Sequence, residues 1–336
     1  MMRLKFLWGW FLLALGLLSC SALNAEIDRR VAATVQALSV EWTRQAAAVS
    51  PSPVATRSEA WAPTPSPTAT SLPVTPTPLV YAPKPTLEPD AWKRFPVVPT
   101  AISERVRQIY RLGQLAGNNP HAFSKVGDCN SNLPAFFGPL DGGPYNLGEY
   151  ASLQETIDYF KGSWGRRSRA VKDGLTASAA LAVLWNDWKD CSRMETPLDC
   201  EYRIHKPAFA LIAFGTNDVM GVAPFEITLR RVIDVTIGHN VVPILVTKAD
   251  NAEGDYHANR IIAELAYEYD LPLWNFWAAV QPLPDHGLMS RDHLSYSEIL
   301  SSADFTPQGL KYGYNVRNLT GLQVLHAIRQ MLSEQP

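Results

Sequence analysis

Ala208-Phe209-Ala210-Leu211-Ile212-Ala213-Phe214, followed at once by Gly215-Thr216-Asn217-Asp218, is the stretch on which the fold turns. An unbroken apolar run of this length, ending at glycine, predicts a strand covered on both faces, as in a parallel sheet. Ligands of such sheets sit outside the carboxyl ends of the strands. The polar residues after Phe214 are therefore the first place to look for chemistry.

Working outward, Phe123 to Val126, Val241 to Val246 and Leu271 to Phe276 read as three further strands. Between and after them, Leu147 to Phe160, Phe225 to Ile237, Asp255 to Tyr269 and Tyr314 to Leu332 read as helices. Strands alternating with helices predict an α/β domain from 98 to 336. Each strand end carries polar residues: Gly127-Asp128-Cys129-Asn130-Ser131 after the first, Thr247-Lys248-Ala249-Asp250 after the third. Asp292-His293-Leu294-Ser295 stands near the C-terminus.

The remainder of the chain has another character. Thirteen of the 26 prolines fall between positions 51 and 100, where glycine is absent, so 51–97 is expected to be a disordered Pro/Thr/Ser-rich spacer. Residues 21–50 read as a short helical stalk. In 1–20, Arg3 and Lys5 precede an apolar run from Phe6 to Leu18, the order of a secretory signal. Leu17-Leu18-Ser19-Cys20 resembles the lipobox of bacterial lipoproteins, which implies lipidation of Cys20 and an extracytoplasmic, membrane-anchored protein. A net charge of −2 lacks the basic footprint of nucleic-acid binding. The histidines show no ligand spacing, so neither a metal nor another cofactor is expected. A monomer is expected.

The ordered strand-end motifs resemble the SGNH/GDSL hydrolase family over about 98–336. That resemblance implies a flavodoxin-like three-layer α/β/α sandwich and an esterase or acyl transferase acting on ester bonds, such as acyl groups on an extracellular polysaccharide. Gly127 and Asp128 match the family's first block, with Cys129 in the nucleophile's slot. Gly215, Asn217 and Asp218 match a later block, in which Asn217 supplies an oxyanion donor. Gly174 is the candidate for the second-block glycine, and Cys129 contributes its own N–H. His293 matches the terminal base.

Two departures stand out. Cysteine replaces serine, and the position three before His293 is Ser290, so the available carboxylate is Asp292, at an offset that would aim it differently. His286 beside Asp285 is the substitute base. Cys129 has three open readings: a nucleophile whose thiol is acidified by a following helix, a buried residue of a relic site in a non-catalytic carbohydrate- or acyl-binding lipoprotein, or a disulfide partner. Cys191 and Cys200, in a polar loop, read as a local disulfide. Lys248 and Asp250 line the cleft or form a solvated pair, and Trp274, Phe276 and Trp277 read as core or as one stacking wall.

Overall fold

The computed structural model describes residues 87–334 apart from 133, 188 and 221–223. The signal segment with Cys20, the stalk and most of the spacer thus lie outside the described residues.

Four parallel strands, β1 (Asn119–Gly127), β2 (Pro207–Ala213), β3 (Val242–Val246) and β4 (Leu273–Trp274), form one sheet in the order β1-β2-β3-β4. On the other side of β1, Val171 makes a parallel bridge to Gly127. The chain therefore leaves β1 for one edge and returns as β2 on the opposite side. This is a flavodoxin-like switch of direction, and the crevice it opens lies at the carboxyl end of β1.

The longer helices are α1 (Glu104–Leu115), α2 (Pro197–His205), α3 (Phe225–Gly238), α4 (His257–Glu268) and α5 (Gly313–Ser333). Strand side chains alternate between faces, and the helices sort accordingly. On one face Tyr110 of α1 stacks on Phe209 of β2, and Thr320 of α5 accepts from Trp274 Nε1 at 3.1 Å. On the other face Ser124 of β1 donates to Glu201 of α2, and Tyr202 of α2 meets Thr236 of α3 at 2.9 Å. Arg230 of α3 pairs with Glu268 of α4. The result is the expected three-layer α/β/α sandwich. Phe123, Phe137, Phe160 and Trp164 fill the core over β1 with edge-to-face contacts.

Several boundaries differ from expectation for local reasons. The helix expected over 147–160 is reduced to Gln154–Tyr159, after a turn through Gly148 at φ +53°. The strand expected to run to Phe276 stops at Trp274, because Asn275 caps a short helix, Phe276–Val280. Cys200 lies within α2 rather than in a loop, since Thr196 caps that helix and Pro197 occupies its first turn. Its disulfide with Cys191 is present. Ser103 caps α1, a helix absent from the sequence expectations.

Residues before position 98 also pack into the fold. Ala91–Arg94 forms a 3-10 turn, Trp92 is 2 % exposed, and Asn275 Nδ2 donates to the carbonyls of Trp92 and Phe95 at 2.9 and 3.0 Å. Ala91-Trp92-Lys93-Arg94, free of proline, is thus part of the fold.

Candidate active site

Gly127 ends β1 where neighbouring chain leaves no room for a side chain. A Cβ there would lie 2.5 Å from the Ala213 carbonyl oxygen and 2.7 Å from Ser131 Oγ. Asp128 then caps a one-turn 3-10 helix, Cys129–Ser131, by accepting from the Asn130 amide at 3.0 Å. Cys129 is thereby presented at the switch point as a free, partly buried cysteine.

Three loops meet there. Cys129 Sγ lies 3.6 Å from His293 Nε2, and His293 Nδ1 lies 2.7 Å from Asp292 Oδ1. Asp292 thus reaches the imidazole from the adjacent position, a point that its one-residue offset in the sequence left open. The loop bends back on itself: Ser290 Oγ accepts the His293 amide at 3.2 Å and faces Asp292 Oδ1 at 3.4 Å. Asn130 fastens this loop to the nucleophile turn, donating from Nδ2 to the Asp292 carbonyl at 2.9 Å. His286 hydrogen-bonds the Gln281 carbonyl oxygen, so the base in contact with Cys129 is His293.

The remaining motif residues approach from the other side. Gly174 turns at φ +72° in a loop whose Asp173 accepts from Asn132 Nδ2 at 3.1 Å, next to the nucleophile turn. Asn217 follows Gly215, itself at φ +122°, and its Nδ2 is buried without a hydrogen-bond partner among the described residues. A buried unpaired amide is costly in a resting fold. It is a donor available for an incoming oxygen.

The electrostatics overturn one expectation. The helix after Cys129 has three residues and supplies little dipole. Burial, reinforced by Asp128, Asp173 and Asp292, pushes the Cys129 thiol up to about 12. Asp128 is itself pushed up to about 6 by burial, against the pull of Arg317. Cys129 therefore rests as a neutral thiol. Its carbamidomethylation by iodoacetamide should run about a thousandfold slower at pH 7 than that of a free cysteine, and should rise with pH throughout the accessible range. A plateau between pH 7 and 8 would show a thiolate and contradict this electrostatic picture.

Sequence reasoning passed over Arg317 and Asn130. Arg317, on α5, is buried behind the nucleophile turn, donates to Ser131 Oγ at 3.1 Å and lies over the Phe136 and Phe276 rings. The available signal was a cation among the apolar residues of the helix expected over 314–332. Lys248 and Asp250 are not a solvated pair. Lys248 Nζ reaches Asp250 and Glu253 at 2.6 Å each, and Asp250 accepts from Thr216 at 2.8 Å, bracing the Asn217 loop from below. A cavity of about 20 Å³, enough for one water, is lined by Thr216, Lys248 and Asp250 together with Asp128, Asp292 and Arg317. Trp274 and Phe276 are core, and Trp277 packs edge-on against Trp92. Ligand atoms of Glu253, Asp255 and His257 lie within 4.8 Å of one another. They are already engaged, Glu253 by Lys248 and His257 by Asp255.

Fold and site together define a three-layer α/β/α protein carrying a Cys–His–Asp constellation at the carboxyl end of its sheet. No family model matches the chain, and no curated protein does. Among solved structures it is similar to an acetylxylan esterase from Geobacillus stearothermophilus at 16 % identity, covering 62 % of this chain and 94 % of that one with a TM-score of 0.40. A GDSL-like lipase from Bacteroides thetaiotaomicron is similar at 14 % identity, covering 67 % and 100 % of the two chains with a TM-score of 0.36.

Proposed function

We propose that this chain is an SGNH-type hydrolase or acyl transferase of ester bonds, tethered outside the cell through a lipidated Cys20 and acting as a monomer on acyl groups such as those of an extracellular polysaccharide. The observation that carries the reading is the continuous relay from Cys129 Sγ to His293 Nε2 at 3.6 Å and from His293 Nδ1 to Asp292 at 2.7 Å.

Because the thiol rests protonated, the relay works in the manner of a serine enzyme. Sγ attacks the acyl carbon while its proton passes to His293 Nε2, and Asp292 steadies the imidazolium. Negative charge growing on the carbonyl oxygen is met by the Cys129 and Gly174 N–H groups and Asn217 Nδ2. His293 then returns the proton to the departing alcohol, leaving a thioester on Cys129. A water, deprotonated by His293, or a second alcohol completes hydrolysis or transfer and restores the thiol.

The test is turnover of p-nitrophenyl acetate by protein spanning 87–336, with mass spectrometry of the acid-quenched enzyme. Acetyl on the Cys129 peptide, and its loss together with turnover in Cys129→Ala, is the expected result. Equal rates for the two proteins would remove Cys129 as nucleophile.

The buried, carboxylate-flanked thiol favours a second reading: a non-catalytic lipoprotein of the same fold that binds a carbohydrate or acyl ligand in this cleft. Ester turnover that emerges only in Cys129→Ser would select it.

A further inference from the structure

The three oxyanion donors proposed above come from separate loops, and something must hold the two remote ones in a common frame. We infer that Asp218 is that positioning residue, fixing the Gly174 and Asn217 loops to each other; the inference rests on the hydrolase reading.

Asp218 is 6 % exposed, and both of its carboxylate oxygens face backbone amides. Oδ1 accepts from the Ala177 N–H at 2.7 Å, and Oδ2 from the Gly215 N–H at 2.9 Å. Ala177 opens the helix Ala177–Ala180, directly after the turn that contains Gly174 and closes by a Leu175 N–H bond to the Lys172 carbonyl at 3.1 Å. Gly215 precedes Asn217 by two residues, at a φ of +122° that tolerates almost no side chain other than hydrogen. One planar group thus ties the segment that carries one donor to the segment that carries the other. Charge-assisted bonds of this kind are roughly twice as strong as neutral ones. They are placed where a displacement of about 1 Å costs about a hundredfold in rate.

Asparagine is the informative replacement. It keeps the shape but offers a single acceptor oxygen, and it sets an NH2 group against the second amide. The same protein supplies a control. Asp141 bridges the Gly162 and Gly165 amides at 2.7 Å each, in another part of the fold.

The experiment compares wild type, D218N and D141N by p-nitrophenyl acetate kinetics, by the rate of Cys129 alkylation at pH 9, and by thermal melting. For D218N the expected result is a kcat about a hundredfold lower, with KM and the alkylation rate within about threefold of wild type. D141N should melt lower yet keep kcat within about threefold. An unchanged kcat in D218N overturns the inference. So does a D218N that loses kcat and Cys129 alkylation together, which marks general disruption. Should D218N fail to fold, amide hydrogen exchange of the wild type decides: slow exchange at both Gly215 and Ala177 supports the clamp, and loop-like exchange at either rejects it. A wild type without turnover removes the hydrolase reading itself, and the inference falls with it.

Discussion

Replacing His293 by alanine is expected to lower kcat for p-nitrophenyl acetate by about 10⁴-fold, at the upper end of what a general base contributes. The size follows from the thiol. Where a cysteine is already ionised, loss of the neighbouring imidazole leaves a nucleophile behind. Here burial and three carboxylates hold Cys129 up to about 12, so at neutral pH nearly every attack needs a base to take the proton. Two corollaries are specific. The deficit of His293→Ala should shrink as pH rises and thiolate forms without help. The double variant Cys129→Ala with His293→Ala should be no slower than Cys129→Ala alone, because the two groups act as a unit. Replacing Asp292 by alanine should cost less, since the His293 and Asp292 side chains are 52 % and 41 % exposed and water can solvate the imidazolium. A His293→Ala protein within tenfold of wild type at pH 7 would detach the histidine from the chemistry.

The second large effect lies at the edge of the domain. Trp92→Ala should destabilise the folded domain by about 3–5 kcal/mol, the usual cost of deleting a buried large aromatic side chain. Trp92 packs against Trp277 with ring centroids 4.8 Å apart and against Tyr256 at 6.1 Å, and its carbonyl holds Asn275. Asn275 in turn accepts from Thr247 at 3.1 Å, at the end of β3. At roughly 2–4 °C per kcal/mol for a domain of this size, the melting temperature should drop by about 10 °C. A fragment beginning at 98 removes the same contacts and should show at least this loss relative to one beginning at 87. A urea-unfolding difference below about 1 kcal/mol would mean that the spacer end only rests on the surface.

Asp128→Asn, by contrast, has no single expected sign. It relieves a buried carboxyl held up near 6, yet it leaves the buried Arg317 guanidinium without an opposing charge.

Much of the site was readable because it sits where regular structure ends. Apolar runs located β1, β2 and β3, and the residues immediately after them, Cys129 and Asn217 among them, belong to the motif loops. Arg317 and Asn130 were not readable. Each acts on residues more than 150 positions away, Asn130 on the Asp292 loop and Arg317 on Ser131, and no local pattern encodes such a contact. Trp92 was obscured by the prolines before it, although its own segment is free of them.

The sequence alone determined the alternation of buried strands with helices, the parallel sheet, the disulfide between Cys191 and Cys200, and the strand ends at which chemistry was sought, because these depend on local periodicity, turn residues and cysteine spacing. Tertiary structure alone decided that Asp292 reaches His293, that the Cys129 thiol is held protonated, and that Asp218 spans two loops. Those properties arise from packing between segments distant in the chain. Burial sets the cost of charge there, and hydrogen-bond geometry, not order along the chain, decides which groups meet.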